Sequence, residues 1–116
     1  MEELYKLEKK GNAVIMNLAV STVLTEDNDY LKKGFLSIID EGNKNIVFDL
    51  AKTEYISSLV LGSFVYMAQK AREVGGKAVF CNINKKIMEI LTATSLDKVL
   101  ELAKDREEAI AQVSKQ

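Results

Sequence analysis

The sequence predicts an α/β domain, a mixed and mostly parallel sheet of four or five strands with flanking helices. Three observations predict it. Short apolar runs suited to buried strands alternate with segments whose apolar residues recur at three and four. The first two helical segments stop at glycine or asparagine, where a left-handed residue can close the last turn. The chain also opens on two strand-like runs joined by Gly11 and Asn12, which implies a hairpin before the alternation begins.

Taken in order, residues 4–9 (L-Y-K-L-E-K) alternate apolar and polar and read as a half-exposed edge strand. Residues 13–20 are mostly apolar and read as a central strand. Residues 21–29 hold polar side chains and possible caps. A helix is expected from about Asn28 to Glu41, burying Leu31, Phe35, Ile38 and Ile39, with Gly42 and Asn43 as its stop. Residues 46–50 are β-branched and aromatic, a buried strand interrupted only by Asp49. Residues 51–58 form the longest clear strand-to-helix loop, the kind of edge that carries function in α/β sheets. A helix then starts at the serines, with Leu61, Phe64, Val65, Ala68 and Ala71 on one face, and ends at Gly75 and Gly76. Residues 77–83 are the next strand. Asn84 is placed to cap a third helix with Ile87, Ile90 and Leu91 inward, ending near Thr94 or Ser95. A short last strand is expected over 99–102. Asp105 and Glu108 have the spacing of a capping box before a closing helix that buries Ala109, Ile110 and Val113.

Composition narrows the function classes. At 116 residues, 47% hydrophobic and 28% charged, the sequence fits one domain over 1–116 with a core that needs no disulfide or metal. A formal net charge of −1 with interspersed signs offers no basic stripe for nucleic acid and no polybasic segment for a membrane. The single Cys81 lies in an apolar run and reads as a buried strand thiol in a reducing compartment. The acidic start lacks an apolar h-region, so a cytoplasmic location is expected. With no histidine, a serine nucleophile has no imidazole base and the usual Cys/His zinc sites cannot be built. Neither G-x-x-x-x-G-K-[ST] nor G-x-G-x-x-G occurs, so no cofactor is expected.

Ser57 and Ser58 stand where a helix cap belongs, and either hydroxyl can accept from a free amide of the first turn. The same free amides and the positive end of the helix dipole would stabilise a phosphoryl group on Ser58. A simple cap and a phosphoacceptor both remain open at this point. Asp49 is either an exposed or loop-bonded strand end or a buried strand carboxylate with function. Lys85 and Lys86 read equally as partner contacts or as a solvated helix face.

Residues 47–62, V-F-D-L-A-K-T-E-Y-I-S-S-L-V-L-G, resemble the STAS domain and, within it, the bacterial anti-sigma factor antagonists. The family carries a V-x-[ND]-L strand, a short loop and M-D-S-[SAT]-G-L-G at a helix start. Without a gap, the strand falls on 47–50, the Met on Ile56, the Asp on Ser57, the phosphorylated serine on Ser58, and L-G on Leu61 and Gly62. The family's later Gly-Gly and apolar strand match Gly75, Gly76 and 78–83, and the close of its next helix resembles 95–99. Departures are Ser57 for the Asp, Leu59 and Val60 for the small residue and glycine, and Leu18, Val20 and Ser21 where the family has G-x-L-D.

The resemblance implies a STAS-like fold and a regulatory switch rather than an enzyme. The unmodified domain would bind an anti-sigma factor, a serine kinase of the histidine-kinase ATPase fold, and so free a sigma factor. The kinase would phosphorylate Ser58 with its own ATP and magnesium, and a serine phosphatase would reverse the modification. The implied partner surface comprises Tyr55, Ile56, Ser57, Ser58, Leu59 and Val60, joined by Asn82 and Asn84 from the neighbouring loop. Two other classes are a non-switching interaction module or signalling-complex subunit, which keeps the docking surface with a degenerate phosphorylation motif, and a small enzyme with Ser58 or Cys81 as nucleophile.

Overall fold

Period-two alternation sorts each strand's side chains onto two faces, and a computed structural model, which describes residues 3–114, shows what each face meets. In chain order, β1 (Tyr5–Lys10) and β2 (Ala13–Leu18) form the expected hairpin, followed by the two-residue β3 (Thr22–Val23), a 3-10 turn and α1 (Asn28–Asp40). Then come β4 (Asn45–Asp49), the two-residue β5 (Tyr55–Ile56), α2 (Ser58–Glu73), β6 (Lys77–Cys81) and α3 (Lys85–Ala93). A second 3-10 turn, β7 (Glu101–Ala103) and α4 (Arg106–Ser114) complete the order. The main sheet runs β1-β2-β4-β6-β7 and is parallel apart from the opening hairpin, while β3 and β5 pair in a parallel ribbon of their own.

On one face Val14, Met16, Ile46, Phe48, Ala78 and Phe80 join the buried stripes of α1, α2 and α3. Phe48, on the central strand, is the hub, with ring centroids 5.9 Å from Phe35, 5.8 Å from Phe64 and 4.7 Å from Phe80. On the other face Ala13, Ile15, Val47, Val79 and Cys81 meet Ala109 and Val113 of α4, with Ala103 and Ile110 partly buried beside them. Thus three helices cover one side and a short one covers the other.

The Gly75-Gly76 pair ends α2 for two separate reasons. Gly75 has φ +86°, the left-handed conformation of a helix stop. At Gly76 a Cβ would fall 1.9 Å from the Lys44 carbonyl oxygen, so only glycine lets the chain pass into β6.

Some boundaries differ from expectation. The last strand starts at Glu101 and not at 99, because the amides of Val99 and Leu100 both donate to the Leu96 carbonyl and are spent on the 3-10 turn. The second strand ends at Leu18, since the Val20 and Ser21 carbonyls turn away to accept from Thr53, Glu54 and Tyr55. Ile90 is 37% exposed on the outer side of α3, while Ile39 and Val65 are only partly buried.

Candidate functional site

At the carboxyl end of β4 the chain does not run free. The Asp49 Oδ1 accepts the Ala51 amide at 3.0 Å, the Thr53 amide donates back to the Leu50 carbonyl, and the Thr53 hydroxyl donates to the Val20 carbonyl at 3.0 Å. Glu54 and Tyr55 both donate to the Ser21 carbonyl, and Ser57 donates to that of Val23. The stretch expected as a loop is therefore a tight turn followed by β5 paired to β3.

This anchoring sets the start of α2. Ser57 has extended backbone, φ −66° and ψ 150°, and its Oγ accepts the Val60 amide at 3.4 Å, so Ser57 is the cap. It is buried, which turns its hydroxyl inward. Ser58 is the first helical residue and is exposed. The neighbouring loop is tied to the same edge: Asn84 caps α3 through the Ile87 amide at 2.8 Å and donates from Nδ2 to the Thr53 and Glu54 carbonyls. Asn82, at φ 56°, donates from Nδ2 to Asp49 Oδ1 at 2.9 Å. Two helix N-termini, with no acidic residue in either first turn, thus open at one edge.

The structure divides the expected surface residues into two groups. Tyr55 and Leu59 are 52% and 53% exposed and flank Ser58, while Asn82 and Asn84 are partly buried beside them. Ile56 and Val60, expected at the surface, are 1% and 0% exposed. Alternation in β5 turns Ile56 inward as Tyr55 turns out, and Val60 lies on the inward stripe of α2 with Phe64, Met67 and Ala71. They support the edge from beneath and, like Ser57, offer a partner no direct surface. Leu24, 42% exposed and next to the Val23 that anchors Ser57, adds an apolar side chain that sequence reading passed over, because β3 is too short to show a period.

Asp49 proves to be both loop-bonded and buried, and the group that permits this is Arg106. Its Nε donates to Asp49 Oδ2 at 3.1 Å and its Nη1 to Glu8 Oε1 at 3.0 Å, while Nη2 donates to Asn17 Oδ1. Burial works against the guanidinium's charge, but hydrogen bonds and charges from Asp49 and Glu8 more than offset it and raise its pKa. Sequence carries no local sign of this pair, since 57 positions separate its members. A cleft of about 390 Å³ opens beside it, lined by Lys6, Asn17, Asp49, Lys52 and Arg106 among others.

Cys81 is fully buried, and burial followed by the nearby Asp49 carboxylate pushes its thiol up to about 12. A thiol so held is not a nucleophile near neutral pH. Ser57→Ala is expected to cost roughly 1 kcal/mol of stability in urea unfolding, since it removes the cap of α2. An unchanged midpoint would show that the Oγ contact with Val60 contributes nothing.

Comparisons with known proteins agree with this fold. The sequence model of the STAS domain matches residues 5–109. BtrV of Bordetella bronchiseptica, given provisionally as an anti-sigma factor antagonist, is 30% identical over 102 residues, covering 88% of each chain. A Thermotoga maritima protein described in the same terms superposes with TM-score 0.84 at 24% identity, over 96% of this chain and 95% of that one. The unphosphorylated anti-sigma factor antagonist SpoIIAA superposes with TM-score 0.75 at 15% identity, over 97% and 99%. The phosphorylated form of that Bacillus protein does so with 0.71 at 17% identity, over 94% and 98%; both likenesses concern the fold. Among the described residues no helix is long and apolar enough to cross a membrane.

Proposed function

Because the chain belongs to the STAS domain family, we propose that it is an anti-sigma factor antagonist whose binding is switched off by phosphorylation of Ser58. In its unmodified state it binds an anti-sigma factor in the cytoplasm and so releases a sigma factor. The anti-sigma factor is a serine kinase of the histidine-kinase ATPase fold, and a serine phosphatase restores the hydroxyl. The domain itself acts by binding and performs no catalysis. The observation that carries this reading is the division of labour between adjacent serines: Ser57 is buried as the cap, which leaves Ser58 exposed and unneeded for starting the helix. That the Bacillus relative SpoIIAA is known in both unphosphorylated and phosphorylated forms supports it.

The physical basis is charge at an interface. A phosphoserine brings nearly two negative charges to a surface that otherwise presents a hydroxyl between Tyr55 and Leu59. Free amides of the first turn stabilise the phosphate within the domain, so the fold survives. Closing a partner over it would desolvate that charge, which is costly. The alternative, a docking module that does not switch, draws on one observation: exposed Leu59 occupies the place beside Ser58 where the resemblance expects a small residue.

Calorimetric titration with the cognate anti-sigma factor tests the proposal. Tight binding is expected without nucleotide, and its loss after incubation with ATP and magnesium. Binding that survives ATP treatment favours the non-switching module, and no binding in either state overturns both.

A further inference from the structure

The Arg106 cluster has no part in the switch as described, yet it reaches the same edge. We propose that Arg106 is a positioning residue for the Ser58 edge, acting through Asp49 from the opposite face of the sheet. The inference rests on reading residues 51–58 as the switch edge, but its physical content concerns the free chain alone.

Asp49 divides its two oxygens between two parts of the molecule. Oδ2 receives Arg106, the first residue of α4, at 3.1 Å. Oδ1 receives the Ala51 amide at 3.0 Å and the Asn82 side-chain amide at 2.9 Å. The carboxylate side chain is only 7% exposed, so its charge depends on the guanidinium. Ala51 begins the turn that leads to Tyr55 and Ser58. Asn82 holds a left-handed backbone two residues before Asn84, which clamps the Thr53 and Glu54 carbonyls. A hydrogen-bonded route from Arg106 to the turn before Ser58 thus runs through one carboxylate. Without Arg106 a buried charge would stand unpaired, and Asp49 would rotate toward water. That rotation reorients the acceptor that Ala51 and Asn82 share.

The same residue fixes α4. Beyond it, the footing of that helix is small, Ala109 and Val113 with half-buried Ile110 on the face formed by Ala13, Ile15, Val47, Val79 and Cys81. Glu8 and Asn17 hold the other arms of the guanidinium, which ties β1 and β2 to the helix start. Cys81, inert while covered, reports on any opening of α4, because a thiol reagent reaches it only when the helix lifts.

The test uses the free chain and two readouts: the nuclear magnetic resonance signals of the Ala51 amide and the Asn82 and Asn84 side-chain amides, and the rate of Cys81 labelling by a soluble aromatic disulfide. R106Q is expected to displace all three signals and to raise labelling about tenfold or more. V113A, which loosens α4 away from Asp49, is expected to raise labelling while the three signals stay in place. R106K, which keeps a cation beside Asp49, is expected to leave the signals nearer the wild-type positions than R106Q does. The proposal is overturned if R106Q leaves the signals unmoved, if V113A displaces them as R106Q does, or if R106K displaces them as far as R106Q. No anti-sigma factor enters these measurements, so their failure would leave the proposed function intact, and failure of that function would not alter them.

Discussion

Phe48→Ala is expected to remove about 3–5 kcal/mol of stability. Phe48 is fully buried on the central strand and touches aromatic rings from α1, α2 and β6, so no single helix can shift to fill the space its ring leaves. The loss combines transfer of a large apolar side chain with a cavity that three rigid neighbours would line. Against a total of about 5–15 kcal/mol typical of a domain, that brings the chain close to unfolding. Urea unfolding followed by circular dichroism measures it. A loss below about 1 kcal/mol would mean that the ring cluster is not the hub of the core.

Ser58→Asp is expected to weaken binding of the anti-sigma factor by on the order of 2 kcal/mol or more, roughly 30-fold in Kd. The substitution places a carboxylate at the first turn of α2, where the helix dipole favours it, so stability should hold or rise slightly while binding falls. Ser58→Ala should bind like the parent and resist phosphorylation. Charge and bulk are separated by Ser58→Asn, which matches the aspartate in size and should retain most of the affinity. Calorimetry on the three variants, with melting curves beside it, decides the matter. An equal loss for Asn and Asp would assign the switch to bulk.

These effects fall at places the sequence made legible to different degrees. The strand at Phe48, the helix starting at Ser58 and the cap at Asn84 were readable because each rests on local pattern: a β-branched run, a three-and-four period, and a polar residue just before an apolar stripe. The STAS resemblance selects Ser58 over Ser57 as the expected phosphoacceptor, and in the structure Ser57 is the buried cap while Ser58 is exposed. The inward side chains were harder to read. Tracing the stripe of α2 from Leu61 onward left out Val60, although Val60 stands four residues before Phe64 and seven before Met67 on the same face. Ile56 is decided by β5, whose two residues are too few to declare a period and which forms only because β3 lies alongside. Arg106 lay furthest from view, since its link to Asp49 depends on α4 crossing the back of the sheet, a tertiary fact with no local trace.

The proposed switch depends on one exposed hydroxyl, that of Ser58. It is tested most directly by incubating the parent chain, Ser57→Ala and Ser58→Ala with the cognate anti-sigma factor, ATP and magnesium, then mapping the modified position by mass spectrometry. One phosphoryl group is expected on the parent and on Ser57→Ala, located at Ser58, and none on Ser58→Ala. Label at Ser57, or no label on the parent from a kinase shown to bind it, would rule out Ser58 as the switch.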